Sequence, residues 1–124
     1  MKKVLMIAAT SAFLVSGLAA TEAVAGAEKK CKSCHHFSAK HKTGPGLKGI
    51  FGADAGTTDF KKYSKDLKAG GWKWDEEHLR AWMCDSKKAI KEFTGNPKAK
   101  TKMAKQKVCD AKKQDEIIAF LKTL

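Results

Sequence analysis

The sequence predicts a small all-α domain that folds around something other than its own core. Three observations lead there. Ile117, Phe120, Leu121 and Leu124 lie at i, i+3, i+4 and i+7, one apolar helical stripe with polar residues opposite. No stretch alternates convincingly with period two, so no strand is expected. The chain of 124 residues leaves room for one domain, and its good core residues are few for a domain that folds unaided. A large apolar bound group would make up that shortfall.

The elements follow in order. Residues 1–25 read as a secretory signal: Lys2 and Lys3, then an uncharged run from Val4 through Ala20, then small residues ending Ala23-Val24-Ala25. Cleavage is expected after Ala25 or after Ala20, leaving 26–124 as the mature domain. An uncleaved N-terminal anchor is the alternative, at the short edge of a spanning length. Glu22 to Lys30 has the makings of a short helix. Residues 38–59 read as loop, punctuated by Gly44-Pro45-Gly46 and by Gly52 to Thr58. Ala69-Gly70-Gly71 is a further break. Asp75-Glu76-Glu77 places acidic residues in a first helical turn, where the helix dipole favours them, and Leu79, Trp82 and Met83 continue it at i, i+3, i+4. Lys87 to Phe93 is a second short helix, broken by Thr94-Gly95-Asn96-Pro97. The terminal stripe is the last.

Charge and composition exclude several classes. Two prolines and ten glycines rule out collagen-like and low-complexity chains. A single apolar run excludes a multi-span membrane protein. The formal charge is +12, and loss of Lys2, Lys3 and Glu22 with the signal changes it only to +11, so it belongs to the mature domain. Lysine supplies nearly all of it; Arg80 is the only arginine. An exported chain with one arginine and no nucleic-acid-binding motif does not suit nucleic acid. Export places the domain in an oxidising compartment, a bacterial periplasm, where paired cysteines oxidise.

Cys31-Lys32-Ser33-Cys34-His35 is C-x-x-C-H, the c-type haem attachment pattern. Two thiols three positions apart can add to the two vinyl groups of one porphyrin, and the next residue sets an imidazole beneath the iron. A thioredoxin-like C-x-x-C would need a βαβ context, which is missing. A zinc site would need a second ligand pair at matching spacing, and Cys84 and Cys109 stand alone.

The chain resembles the class I cytochromes c, most of all the larger bacterial cytochromes of the c-two type, from about Glu28 to Leu124. Four segments carry the likeness in order: Cys31 to His35; Thr43-Gly44-Pro45-Gly46-Leu47; Trp74-Asp75-Glu76-Glu77-His78-Leu79; and Thr101-Lys102-Met103 before a helix ending Ile118-Ala119-Phe120-Leu121. Lys91 to Lys100 resembles the longer loop of that subgroup. The resemblance implies several short helices wrapped around one covalent haem c. Cys31 and Cys34 would hold it by thioethers, and His35 would be the proximal ligand, fixed through its other ring nitrogen by the Pro45 carbonyl. Met103 would be the distal ligand, and Thr101 would stand beside it in the haem site. Tyr63 and Trp74 would bond a buried propionate, and Trp72 and Leu47 would pack on the ring. Of the other methionines, Met1 and Met6 belong to the signal, and Met83 lies at core spacing. His36, His41 and His78 are the candidates for a bis-histidine rival. A thioether donor raises the potential, which suits an acceptor from a quinol-oxidising complex.

Some positions depart from the family. Lys105 stands where an aromatic usually shields the haem edge, Trp82 where a tyrosine is common, and Ala53 where an arginine often neutralises the propionates. Ala23 and Ala27 replace the usual glycine and aromatic of the first helix. Cys84 and Cys109 lie outside the common pattern. Their even count in an exported chain predicts a disulfide across the segment carrying Met103. The expected function is a soluble periplasmic one-electron carrier and not an enzyme. It would be a monomer whose lysines (Lys32, Lys40, Lys42, Lys100, Lys102 and Lys105) meet acidic docking faces. A cytochrome bc1-type donor and an oxidase, reductase or reaction-centre acceptor are the expected partners. The alternatives are a haem c enzyme or gas or redox sensor with a labile distal ligand, and an exported module without haem.

Overall fold

The computed structural model describes residues 26–124. The predicted signal, with both cleavage positions, lies outside the described residues. A 3-10 helix, Ala27–Ser33, opens the domain. Four α-helices follow: α1 Lys65–Ala69, α2 Glu76–Cys84, α3 Ser86–Thr94 and α4 Ala111–Leu121. Among the described residues there is no strand, only one isolated bridge between Asp54 and Lys73.

Each α-helix starts on a side-chain oxygen that takes an orphan backbone N–H. Ser64 accepts from Leu67 N, Asp75 from His78 N, Asp85 from Lys88 N and Asp110 from Lys113 N. Asp85 also closes α2, donating its own N–H to Ala81 O. One residue therefore ends one helix and begins the next, which fixes a sharp corner between α2 and α3. Gly95, at φ 65°, ends α3 in the left-handed conformation that glycine adopts without steric cost.

Helices α2 and α3 begin at or within a residue of their expected starts. The stripe of α4 buries Ile117 and Leu121, but the helix ends before Leu124. The first helix differs from expectation: the described part is wound as a 3-10 turn that runs on through Cys31. Helix α1 is new. It is a single turn with no apolar period, and its only signals are the Ser64 cap and the following glycines.

Helix α2 packs on α3, α4 packs on the opening turn and on α2, and α1 rests on α3. The long helix-free stretch is tied down by backbone bonds: Gly52 N to Trp74 O (2.8 Å), Trp74 N to Ala53 O (2.9 Å) and Ala55 N to Trp72 O (2.9 Å). Gln114 on α4 is buried yet satisfied. Its Nε2 donates to Val108 O (2.9 Å) and Arg80 O (3.3 Å), joining three segments.

The caps make the fold acid-sensitive. The His78 backbone N–H holds the Asp75 carboxyl below its ordinary value, and the Lys88 N–H does the same for Asp85. A depressed folded pKa gives stability that is complete above the unfolded value, about 3.9, and is lost as pH falls through the folded values. The melting temperature is therefore expected to fall below about pH 4. Asp85→Asn, which keeps a capping oxygen but cannot titrate, should make that fall shallower in melts followed by circular dichroism.

Candidate metal centre

The helices and loops border a cavity of about 810 Å³, partly open to solvent. That is towards the upper end of the ~300–1,000 Å³ range of cofactor pockets. Cys31, Cys34, His35, Pro45, Leu47, Tyr63, Trp74, Thr101 and Met103 all border it. Nine of the ten residues expected at the site are thus brought to one cavity.

The proximal side is built on a glycine turn. Gly44 N donates to Cys34 O at 2.7 Å, laying the turn against the histidine. A Cβ on Gly44 would lie 2.4 Å from His35 Cε1, so only glycine allows the approach. His35 Nδ1 then donates to Pro45 O at 2.7 Å, since a carbonyl can only accept. Burial pushes the His35 pKa down, and the Pro45 bond opposes this. The Pro45 bond places a proton on Nδ1, and burial favours the neutral ring, whose Nε2 lone pair could then serve a metal.

The distal side is held from α2 and α3. Trp82 Nε1 donates to the Met103 sulfur at 3.0 Å. Ser86 Oγ donates to Met103 O at 2.9 Å, and the Thr101 hydroxyl accepts from Met103 N at 3.3 Å. The Lys87 ammonium caps the Thr101 carbonyl. Just beyond, Lys107 N donates to Cys84 O (3.1 Å) and Val108 N to Met83 O (3.0 Å). The expected disulfide joins Cys84 to Cys109, 25 positions apart in sequence with their Cα atoms 4.6 Å apart. The loop carrying Met103 is thus closed covalently onto the end of α2.

The Cys31 thiol is pushed up by burial first and by Glu28 second. A dithiol tuned for exchange has the opposite shift. Among the described residues, no three His, Cys, Asp or Glu side chains converge to hold a metal ion.

Trp72 is the exception among the expected residues. It does not border the cavity. Trp74 and Trp82 take the wall, and Trp72 fills the space between them and Phe93, with centroids 5.7, 6.4 and 5.1 Å away. Its buried Nε1 has no partner. The Tyr63 hydroxyl lies 2.5 Å from Thr58 Oγ1. His36, His41 and His78 do not border the cavity, and the last two are engaged with Asp59 and Asp75. Lys105 is also off the wall and pairs with Asp85 at 3.6 Å; Ala104 and Gln106 border the cavity instead.

Other wall residues were read from sequence only as core. Leu79 and Met83 on α2, and Ile117 and Leu121 on α4, sit at i, i+4 and face the cavity. Helical spacing marks a buried stripe but not what lies against it. Ser86 had no sequence signal, because its role depends on where Met103 falls.

An apolar cavity with two thiols, an imidazole and a thioether on its wall has the donor set for a covalently attached haem, which defines a c-type cytochrome. No protein-family model matches the chain. Cytochrome c2 of Rhodospirillum rubrum (strain ATCC 11170) is 39% identical over 116 residues, covering 88% of this chain and 85% of that protein. Cytochrome c2 of Cereibacter sphaeroides is 42% identical over 95 residues, 66% of this chain and 77% of that one. Among solved structures, cytochrome cH from Methylobacterium extorquens superposes with a TM-score of 0.67 at 42% identity, over 79% of this chain and 92% of that one. Cytochrome c2 from Rhodospirillum centenum gives 0.70 at 30% identity, over 78% and 91%. The chain belongs to the class I cytochromes of the c2 type. It is an electron carrier with one covalent haem c, works with redox partners and is not an enzyme. No helix among the described residues is long and apolar enough to cross a membrane.

Replacing both cysteines (Cys84→Ser with Cys109→Ser) should lower the unfolding free energy by roughly 3 kcal/mol, the loop-closure value for such a span. Denaturant titration of the matured protein measures it.

Proposed function

We propose that this chain is an exported, periplasmic one-electron shuttle. Residues 1–25 would be its cleaved signal, Cys31 and Cys34 its thioether attachments, His35 its proximal ligand and Met103 its distal ligand. The observation that carries this reading is the paired restraint of two donors lining one cavity: His35 gripped by Pro45 O, and Met103 gripped by Trp82 Nε1. When bound, the haem supplies a one-electron Fe(III)/Fe(II) couple.

The protein's own groups set the terms of that couple. Accepting the Nδ1 proton, Pro45 raises the basicity of Nε2 and fixes the ring. Trp82 N–H draws density from the sulfur and holds its orientation. Ser86, Thr101 and the disulfide keep the Met103 loop in place, so little rearrangement would accompany a change of charge. With His35 and Met103 both serving as ligands, the iron would have no open position for a substrate, which disfavours the haem enzyme and gas-sensor alternative.

Lysines at the cavity mouth supply the docking charge. Lys30, Lys42, Lys62 and Lys102 border the cavity, two of them among the six expected. Lys32, Lys40, Lys100 and Lys105 do not border it. A cationic rim suits brief, salt-sensitive contact between this monomer and acidic faces of a cytochrome bc1-type donor and of an oxidase, reductase or reaction-centre acceptor.

The first test is the visible and near-infrared spectrum of matured protein. A weak sulfur-to-iron band is expected in the oxidised form only, and Met103→Ala should abolish it and admit carbon monoxide to the reduced form. A haem spectrum without the band in unmutated protein would overturn the ligand assignment. Electron-transfer rates to an acidic partner should fall about tenfold or more as salt rises. A flat salt profile would remove the steering role.

A further inference from the structure

We propose that His41, anchored by Asp59, is a positioning residue for the proximal imidazole, acting through the single peptide unit that separates it from His35; the inference rests on the reading of His35 as the proximal ligand. Two histidines grip the two ends of one amide. The Pro45 carbonyl accepts the His35 Nδ1 proton at 2.7 Å. The Gly46 N–H of that same planar group donates to His41 Nδ1 at 3.0 Å. An amide N–H only donates, so Nδ1 of His41 is the bare nitrogen and its proton lies on Nε2. That proton goes to Asp59 Oδ1, at 2.6 Å. An unbroken chain of carboxylate, imidazole, peptide and imidazole therefore runs from the surface to the cavity wall.

The local packing is made for this contact. Gly46 is buried, and a Cβ there would lie 2.3 Å from Ser38 O and 2.7 Å from Lys40 O. Its amide is thus pressed against the loop that carries His41. The Phe60 ring lies 5.3 Å from the His41 ring and steadies it beside Asp59. The His41 bond also holds the Asp59 carboxyl below its ordinary range, so the outer end of the chain is an anion at neutral pH. His41 does not border the cavity, so any effect on the iron passes through Gly46 and Pro45.

Each link polarises the next in one direction. The carboxylate enriches His41 Nδ1, which draws the Gly46 proton. The Pro45 oxygen becomes a stronger acceptor for His35 Nδ1–H. His35 Nε2 would then give more density to a bound iron, which would favour Fe(III) and lower the potential.

The test is a double-mutant cycle on the holoprotein, reading midpoint potential, with His41→Asn and Asp59→Asn. Asparagine at 41 keeps an acceptor where Nδ1 lies, so the Gly46 bond and the loop are retained while the reach to Asp59 is lost. Asparagine at 59 removes one exposed charge. Each single variant should raise the potential, by about a three- to tenfold change in the redox equilibrium. The double variant should match His41→Asn alone. The His35 Nδ1 proton should move upfield in the reduced, diamagnetic state of each. Equal effects of Asp59→Asn in both backgrounds would indicate a through-space charge effect and overturn the relay. Unchanged potentials with a lower melting temperature would make His41 a loop pin only and overturn it as well. Failure of the underlying ligand reading is separable, because it would appear in the unmutated protein as a His35 ring without the large ring-current shifts of an axial ligand.

Discussion

Everything in this fold depends on keeping an apolar cavity open inside a domain of about one hundred residues. The faces that a small helical protein normally packs on each other here line a hole. Leu79 and Met83 of α2, and Ile117 and Leu121 of α4, point into it. A chain arranged this way has little helix-on-helix burial to hold it together, and small domains have little to spare. The remaining structure supplies the closure by other means: a cap on each α-helix, the buried Gln114 bridge and the Cys84–Cys109 bond.

The two sides of the cavity are closed by different physics. The proximal side is a turn whose glycines remove side chains so that backbone can touch an imidazole directly. Its geometry is set by hydrogen bonds between rigid planar groups, which transmit polarisation well. The distal side is a loop with poor internal structure, pinned by Trp82, Ser86 and a covalent bond. Its requirement is to stay still. Trp82 is larger than the tyrosine common in the family, yet its N–H reaches the sulfur from a buried position packed on Trp74 and Phe93. Lys105 gives up the shielding that an aromatic would supply, and its ion pair with Asp85 ties the loop to the α2–α3 corner instead.

What the sequence made legible follows from how local each signal is. The C-x-x-C-H pattern, the Asp75 start of α2 and the Gly95 stop of α3 are written in adjacent residues, and each was readable. The disulfide was readable because a chain read as exported, with two cysteines outside the attachment motif, has few other uses for them. The place of Trp72 was not legible because it and Trp74 stand two residues apart, and only the packed structure shows that Trp74 and Trp82 border the cavity while Trp72 lies behind them. Helix α1 escaped because one turn has no period to detect. Ser86 and His41 escaped for a stronger reason: each bonds a backbone group outside its own element, Met103 O and Gly46 N–H, and no spacing rule connects a side chain to such a group.

The difference between the two sides also decides where the chain can vary without losing its function. A covalently closed distal loop tolerates surface change, since its position does not rest on any one side chain at the rim. The proximal turn has no such reserve. A side chain at Gly44 would collide with His35, and one at Gly46 would collide with the backbone of residues 38–40. Variation on that side is therefore pushed outward, to residues that touch the turn's polar groups without entering it. His41 and Asp59 are the first such residues met on the way to solvent. A protein whose work is to hold one electron at a set potential can then be adjusted from its surface while the groups around the cavity stay fixed.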